Sequence, residues 1–266
     1  MTALWLLADS RLPTGGHAHS GGLEAAVRRG LVRAPEDVAA WLAGRVPTAG
    51  LVTAAAASAA CVLVGSGRPS SARGEPSAAL ADRTFPPHDD APTREDGPDA
   101  LGDSGFTSRS VDWAPWDAAV SARTPVAALR EVSRAQGRAM LRTVRAAWPH
   151  APVDGLAARP HQALVLGVVT AAAGGSAHDA AALAVHHLVG QVCSAGVRLL
   201  GLDPLALAGV HARALEEHIG VVDRAADAGA RAAARDEPDL LPTATTPLPE
   251  VLAVVHARSE GALFAS

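Results

Sequence analysis

Three residue types are missing from this chain, and a fourth is nearly absent. The 266 residues include no lysine, no asparagine and no tyrosine, and Ile219 is the single isoleucine. Without lysine the chain cannot supply the phosphate-binding lysine of a P-loop, a Schiff base or a lysine general base. The classes of enzyme that depend on those groups are therefore excluded.

Cysteine is scarce as well. Cys61 and Cys193 are far apart in the sequence, and neither belongs to a CxxC pair. This spacing predicts neither a disulfide framework nor a zinc site. We expect both residues to be buried, reduced thiols.

The chain has no excess of positive charge. Its formal net charge is -4 and its isoelectric point is near 6.2, so nucleic acid is not an expected partner. No basic region precedes an apolar stretch at the N-terminus, and the alanine-rich run at residues 49–64 is shorter than the ~18 residues of a membrane span. These features predict a cytoplasmic protein with no membrane segment.

Helical patterns dominate the rest of the chain. Alanine and leucine are abundant, and almost no stretch alternates polar with apolar residues, so we predict an all-α, single-domain bundle of about eight to ten helices. The predicted starts and ends are residues 3–8, a start near Gly21, a helix from Pro35 that breaks at Pro47, a packed helix at 49–64, a start at Pro115, a long helix from the cap Thr124 to Pro149, a helix from Pro160 to Gly174, a capping box at Ser176, a cap at Asp203, and a last helix from Pro249 or Glu250 to Arg258.

One long segment departs from this pattern. Residues from about 65 to 112 are rich in proline, glycine, serine and aspartate and nearly lack aliphatic residues. Such a composition cannot bury enough apolar surface to offset the entropy of ordering. We predict a disordered insertion between two helices of one domain.

The segment LPTGGHAHSGGLE, residues 12–24, combines four glycines with two histidines and a serine, residue types that can bind phosphate, bind a metal or act as a nucleophile. A phosphate-binding loop fails here for want of lysine and of the correct glycine spacing. Ser20 approximates the nucleophile of a serine hydrolase, which stays as an alternative although the sequence predicts no sheet to carry it. His17 and His19 are only two possible metal ligands, so these histidines, like His186 and His187, are expected to be structural or exposed.

The arginines of the predicted helices occur in two different settings. Arg130, Arg134 and Arg138 form a stripe at four-residue steps, which is typical of a solvated helix face. Arg198 instead lies within an apolar helix, where a guanidinium is costly without a partner. If Arg198 is buried, Glu24, Asp117 or a C-terminal group could pair with it; if it is exposed, we expect it to lie at an interface with a partner.

Five blocks of the chain resemble the UreF family of urease accessory proteins. Residues 4–24, LWLLADSRLPTGGHAHSGGLE, are similar to the family's LLQLADSxLPxGxFxxSxGLE. The other blocks are Arg130 to Ser133 with Gly137 and Arg138 (RxxSxxxGR), His161 with Gly167, residues 194–199 (SAxVRL), and residues 256–266 (HExxxxxLFxS). His17 and His19 replace aromatic residues of the family pattern, and Ala262 replaces an arginine.

The resemblance implies a non-catalytic, all-α homodimer over residues 1–266. Such proteins bind UreD, called UreH in some organisms, and recruit the GTPase UreG. They join UreG to apo-urease so that nickel enters the urease active site, and they modulate the GTPase. The chain would then need no cofactor of its own, because the complex handles nickel and UreG binds GTP.

The resemblance also implies which residues matter. We expect a rigid docking turn with Ser20 as the N-cap of the next helix, and a C-terminal tail that orders only against UreD. His17 and His19 are the only candidates for a transient nickel contact, and no residue is expected to be catalytic. The expected partner-binding or structural residues are Pro13, Gly15, Gly16, Ser20, Gly22, Glu24, Arg130, Ser133, Arg198, His256, Glu260, Leu263, Phe264 and Ser266.

Overall fold

A computed structural model of the chain describes residues 2–9, 12, 19–65 and 111–257. Within these ranges the protein is helical and has no β-strand, which confirms the all-α prediction. The helices are α1 Thr2–Ala8, α2 Leu23–Arg28, α3 Pro35–Arg45, α4 Leu51–Gly65, α5 Trp113–Ala122, α6 Ala127–Ala147, α7 Gln162–Ala172, α8 Ala177–Leu200, α9 Pro204–Glu217, α10 Ile219–Arg235 and α11 Pro247–His256.

The predicted break at Pro47 is wrong. A single π-helical turn, Val46–Gly50, joins α3 to α4 without interruption. The wider turn accommodates a proline, which has no N–H to donate and would clash with the carbonyl four residues earlier in an α-helix. The hydroxyl of Thr48 donates to the Gly44 carbonyl at 2.7 Å, which gives that carbonyl a hydrogen-bond partner.

Helix α4 lies at the centre of the molecule, packed against α7, α8 and α10. Its residues 54–60 are all buried and, apart from Ser58, are all alanine. A methyl group on Gly167 of α7 would overlap the Ala57 carbonyl oxygen, and one on Gly229 of α10 would overlap the Ala55 carbonyl oxygen. Small residues on both sides therefore let three helix backbones approach closely.

Judged by length and composition alone, two helical stretches among the described residues could cross a membrane: Pro35–Gly65 and Ala177–Leu200. The first exceeds the length expected for the run at 49–64, because α3 and α4 are continuous. More than half of the most apolar part of each stretch is buried, 61% and 56% respectively. Packing against other helices thus accounts for much of their apolar character.

Several predicted helix ends are confirmed. The Ser176 hydroxyl accepts from the Asp179 amide, and the Asp179 carboxylate accepts from the Ser176 amide, so the capping box is formed. Asp203 caps α9 in front of Pro204. Thr124, however, is not the cap of α6: its hydroxyl donates back to the Val120 carbonyl at the end of α5.

Helix α10 was not among the helices predicted from the sequence. Its buried residues recur at three- and four-residue steps, a pattern that could have predicted it: Val221, Val222, Ala225, Ala226, Gly229, Ala232 and Ala233.

Both cysteines are free and buried, as predicted. Burial raises the pKa of the Cys61 thiol to about 12 and that of the Cys193 thiol to about 11. Both groups are therefore protonated, unreactive thiols at neutral pH.

The predicted insertion at about 65–112 lies almost wholly outside the described residues. Helix α4 ends at Gly65 on one side of it, and α5 begins at Trp113 on the other. The Asp112 carboxylate caps α5 by accepting from the Ala114 amide at 3.1 Å.

Candidate partner-binding site

The described part of the glycine-rich motif forms a buried turn in front of α2. Gly21 and Gly22 have φ values of 62° and 83°, a left-handed conformation that favours glycine. Gly22 is the N-cap of α2, so the prediction of Ser20 as the N-cap residue is wrong by two positions. Ser20 still satisfies the helix start, because its hydroxyl oxygen accepts from the Glu24 amide at 3.3 Å.

This geometry does not suit Ser20 as a nucleophile. Its exposed fraction is 0%, and its hydroxyl faces the first turn of α2. A nucleophile elbow holds its serine on a strained turn between a strand and a helix, exposed to substrate. The described residues contain no strand that could form such an elbow.

Glu24 and His256 are far apart in the sequence, but their side chains are in contact in the interior. Glu24 is 1% exposed and His256 is 4% exposed. One Glu24 carboxylate oxygen lies 3.2 Å from Arg28 Nη2, and the other lies 3.7 Å from His256 Nε2. This contact fixes the end of α11 against α2, so two residues expected to be important from the sequence form one structural link.

Helix α11 has apolar residues on both its faces. Pro249, Leu252 and Ala253 face inward and are buried. On the outward face Leu248 is 51% exposed, Val251 is 59% exposed and Val254 is 36% exposed. Contiguous apolar residues left in water are typical of a surface that another protein covers.

Helix α1 is held to α8 through two histidines. His187 Nε2 lies 2.8 Å from the Leu7 carbonyl oxygen, and His186 Nε2 lies 3.0 Å from that of Ala8. These bonds satisfy carbonyls at the end of α1, which have no partner within the helix. Trp5 nevertheless projects outward with 75% of its surface exposed.

The same histidines belong to a small structural cluster. His211 Nε2 lies 3.2 Å from His186 Nδ1. Burial lowers the pKa of both His187 and His211 to about 4, and the neighbouring His186 adds to each shift. A structural role for His186 and His187 is thus confirmed, and the described residues include no cluster of three or more His, Cys, Asp or Glu suited to a metal ion.

The RxxSxxxGR motif packs α6 against α5 and α7. Ser133 Oγ lies 2.9 Å from His161 Nδ1, and Ser121 Oγ of α5 lies 2.9 Å from His161 Nε2. Arg130 Nη1 donates to the carbonyls of Thr124 and Pro125, both at 2.8 Å. Arg130 and Ser133 therefore position loops and helices inside this protein.

His161 is fully buried within that network. Its pKa is lowered to about 4, first by burial and then by the nearby charges of Arg134 and Arg130, which outweigh the opposing effect of Asp117. The ring is consequently neutral at physiological pH and bonds two serine hydroxyls.

Arg134 was predicted to lie on a solvated face, and this is wrong. Its guanidinium forms a two-pronged ion pair with Asp117, with distances of 3.2 and 2.7 Å, and donates to the Arg159 carbonyl. The sequence pattern gave no indication of this pair, because Asp117 lies on a different helix. Gly137, one turn further along α6, leaves room for the Pro160 carbonyl at the start of the α7 segment.

Of the two environments considered for Arg198, the structure shows the exposed one. Its side chain is exposed on α8, and its Nε lies 3.5 Å from the Ser194 carbonyl oxygen. The apolar residues beside it in sequence point to other sides of the helix. His19, in contrast, is 5% exposed and lies in the interior.

The remaining candidates lie outside the described residues. They are Pro13, Gly15, Gly16, His17, Glu260, Leu263, Phe264 and Ser266.

The fold and the site together define an all-helical protein whose terminal helices present apolar side chains outward. Comparison with known proteins identifies one family. A UreF family model matches residues 32–215. The chain is 37% identical to the urease accessory protein UreF of Mycolicibacterium vanbaalenii over 270 residues, which covers 100% of this chain and 99% of the relative.

Two further relatives have the same description. The chain is 36% identical to UreF of Mycobacterium marinum over 266 residues, with 100% and 99% coverage. It is 35% identical to UreF of Mycobacterium tuberculosis strain H37Ra over 205 residues, with 77% and 75% coverage. The chain belongs to the UreF family of urease accessory proteins.

Proposed function

We propose that this protein is a non-catalytic maturation factor for urease. It acts with UreD (UreH) and the GTPase UreG on apo-urease, promotes entry of nickel into the urease active site and modulates GTP hydrolysis by UreG. Membership in the UreF family and the full-length relatives named urease accessory proteins support this role. The protein functions in the cytoplasm as a homodimer within that assembly.

The outward face of α11 is the observation that carries the proposal. Four large apolar residues on this helix, Leu248, Val251, Val254 and Val255, are at least one-third exposed, although the helix itself is fixed in place by the Glu24 to His256 contact. Exposing them costs free energy that a partner surface recovers on docking. We assign this face to UreD.

The chain's own chemistry supports an accessory role over hydrolysis. Ser20, the candidate nucleophile, is buried, and its hydroxyl oxygen accepts from the Glu24 amide in α2. His186 and His187 are engaged with the carbonyls of α1. Nickel and GTP are accordingly handled by the complex and by UreG, and this chain contributes surfaces.

Co-purification tests the proposal. Tagged wild-type protein is expected to capture UreD and UreG and to restore urease activity in cells that lack this protein. Val251→Asp places a charge on the outer face of α11 and is expected to abolish capture of UreD while leaving the fold intact.

The matched control is Leu205→Asp, which places the same charge on α9 at a residue that is 81% exposed. It is expected to retain UreD. Equal capture of UreD by the Val251 variant and the wild type would show that the α11 face is not the docking surface. A failure of the wild-type protein to restore urease activity would contradict the function itself.

A further inference from the structure

A cavity of ≈ 140 Å³ lies where helices α3 to α8 meet α11. Its lining includes Arg45 from the end of α3, Gln136 from α6, His187 from α8 and Glu250 from α11. The volume admits a few water molecules or one molecule with a handful of non-hydrogen atoms.

Arg45 is the unusual group in this cavity. The residue is 8% exposed, and its Nε is buried with no hydrogen-bond acceptor in the described part of the chain. Burial lowers the pKa of Arg45 to about 10, and the negative charge of Glu250 opposes that shift without forming an ion pair. The guanidinium is therefore still charged at neutral pH, and leaving its buried Nε–H without an acceptor is costly.

Two further polar groups on the cavity wall lack partners. Gln136 is 5% exposed, and its Nε2 is buried with no acceptor among the residues described. His187 is bonded to the Leu7 carbonyl through Nε2, which must donate, so the Nδ1 of this neutral ring is an acceptor. That atom too is buried without a hydrogen-bond partner.

The charge of the lining favours an anion over a neutral ligand. Arg45 and Arg123 contribute two positive charges and Glu250 one negative charge, so the sum is +1 when the histidines are counted as neutral. Arg123 already donates to the carbonyls of Asp239, Leu241 and Pro242. Arg45 and Gln136 are thus the donors available to a ligand.

We propose that this cavity binds a small carboxylate-type anion, whose oxygens accept from Arg45 and Gln136. A guanidinium presents parallel N–H donors that match a planar pair of oxygens, and a charge-assisted bond of this kind is about twice as strong as a neutral one. Water that accompanies the anion donates a hydrogen bond to His187 Nδ1. Glu250 of α11 lines the cavity, but Leu248, Val251 and Val254 of the docking face do not, so either proposal can fail alone.

Thermal unfolding of the full chain tests this site. Formate or acetate is titrated against chloride at constant ionic strength. The wild type is expected to show a Tm that rises and saturates with the carboxylate salts only, because a ligand that binds the folded state stabilises it by mass action. Saturation-transfer NMR with formate gives an independent reading of binding.

Arg45→Gln and Gln136→Leu are expected to weaken formate binding by about tenfold or more, since each removes a donor from the ligand. Arg213→Gln is the matched control, because it removes the same charge from an exposed position on α9. Gln136→Glu builds a carboxylate into the cavity and is expected to raise the Tm and abolish the formate response. If Arg45→Gln fails to fold, the two Gln136 variants decide the question.

Any of three results would overturn the proposal. One is a wild-type Tm that responds equally to formate and chloride, which would leave only water in the cavity. The others are a saturable formate response that survives unchanged in the Gln136 variants, and a response that occurs only when a partner protein is present.

Discussion

Helices α4 and α11 are both apolar, yet the protein uses them in opposite ways. Helix α4 is covered on its sides by α7, α8 and α10, and its small side chains let α7 and α10 approach to backbone contact. Helix α11 packs one face against α2 and α6 and leaves large apolar residues of the other face in water. The first helix supplies stability and the second supplies a surface, and the difference lies in the size and placement of their apolar residues.

The largest effect on stability is expected where the core is tightest. Gly167→Ala places a methyl group on the Ala57 carbonyl oxygen, which is backbone and cannot move aside cheaply. We expect a loss of about 3 kcal/mol or more in the free energy of unfolding. Gly65→Ala is the control, since nothing lies within 4 Å of its added carbon. Urea denaturation of the two variants would refute the packing argument if their losses were equal.

Acid should weaken the scaffold that joins α5, α6 and α7. The pKa of His161 in the folded state is about 4, below its usual 6.5, so the unfolded chain binds the proton more readily. The stabilising contribution is complete above pH ~6.5 and is lost as the pH falls toward ~4, by up to about 3 kcal/mol.

Denaturant unfolding between neutral and mildly acidic pH measures this effect. His161→Gln is expected to reduce the dependence on pH without abolishing it, because His187 and His211 also have a pKa lowered to about 4, whereas His150→Gln, at an exposed position, should leave the dependence unchanged. An identical pH dependence in wild type and His161→Gln would contradict the assignment.

A smaller loss is expected at the link between α2 and α11. Glu24→Gln removes the charge that faces Arg28 and His256 in the interior, and we expect it to destabilise the protein by about 2 kcal/mol. Glu131→Gln breaks an ion pair with Arg159 that is largely exposed, and should cost at most about 1 kcal/mol. Thermal melts would distinguish the two variants. Equal losses of stability would mean that the buried contact stabilises the fold no more than the exposed ion pair does.

The smallest effect on stability is expected at Arg198. Because the side chain is exposed, Arg198→Ala should change the free energy of unfolding by less than about 0.5 kcal/mol. We expect it to weaken capture of partner proteins instead, since its motif belongs to the family pattern. Unchanged capture in pull-downs would limit Arg198 to a solvated surface position.

Local patterns predicted much of this fold. The capping box at Ser176 and the cap at Asp203 depend on neighbouring residues, so the sequence alone located them. The path through Pro47 depends on a π-helical turn, which the sequence did not indicate. Likewise, Arg134 was misjudged because its partner Asp117 reaches it only through tertiary packing.

The candidate site also combines features that the sequence could predict with features that depend on tertiary packing. The family motif identified Glu24 and His256, but only the structure shows that they touch. Arg45 belongs to none of the motifs recognised in the sequence, and Gln136 occupies an unspecified position of RxxSxxxGR; their shared cavity is produced by the meeting of helices that are distant in the sequence. A pattern along one chain cannot predict which of its side chains are left without partners.

Hydrogen exchange with and without UreD tests the central claim most directly. The amides of α11 are expected to exchange more slowly when UreD binds, and so are those of residues 260–266, a segment outside the described residues. The amides of α4 are expected to exchange equally slowly in both states. Equal protection of residues 247–266 in the presence and absence of UreD would contradict the assignment of the α11 face as the docking surface.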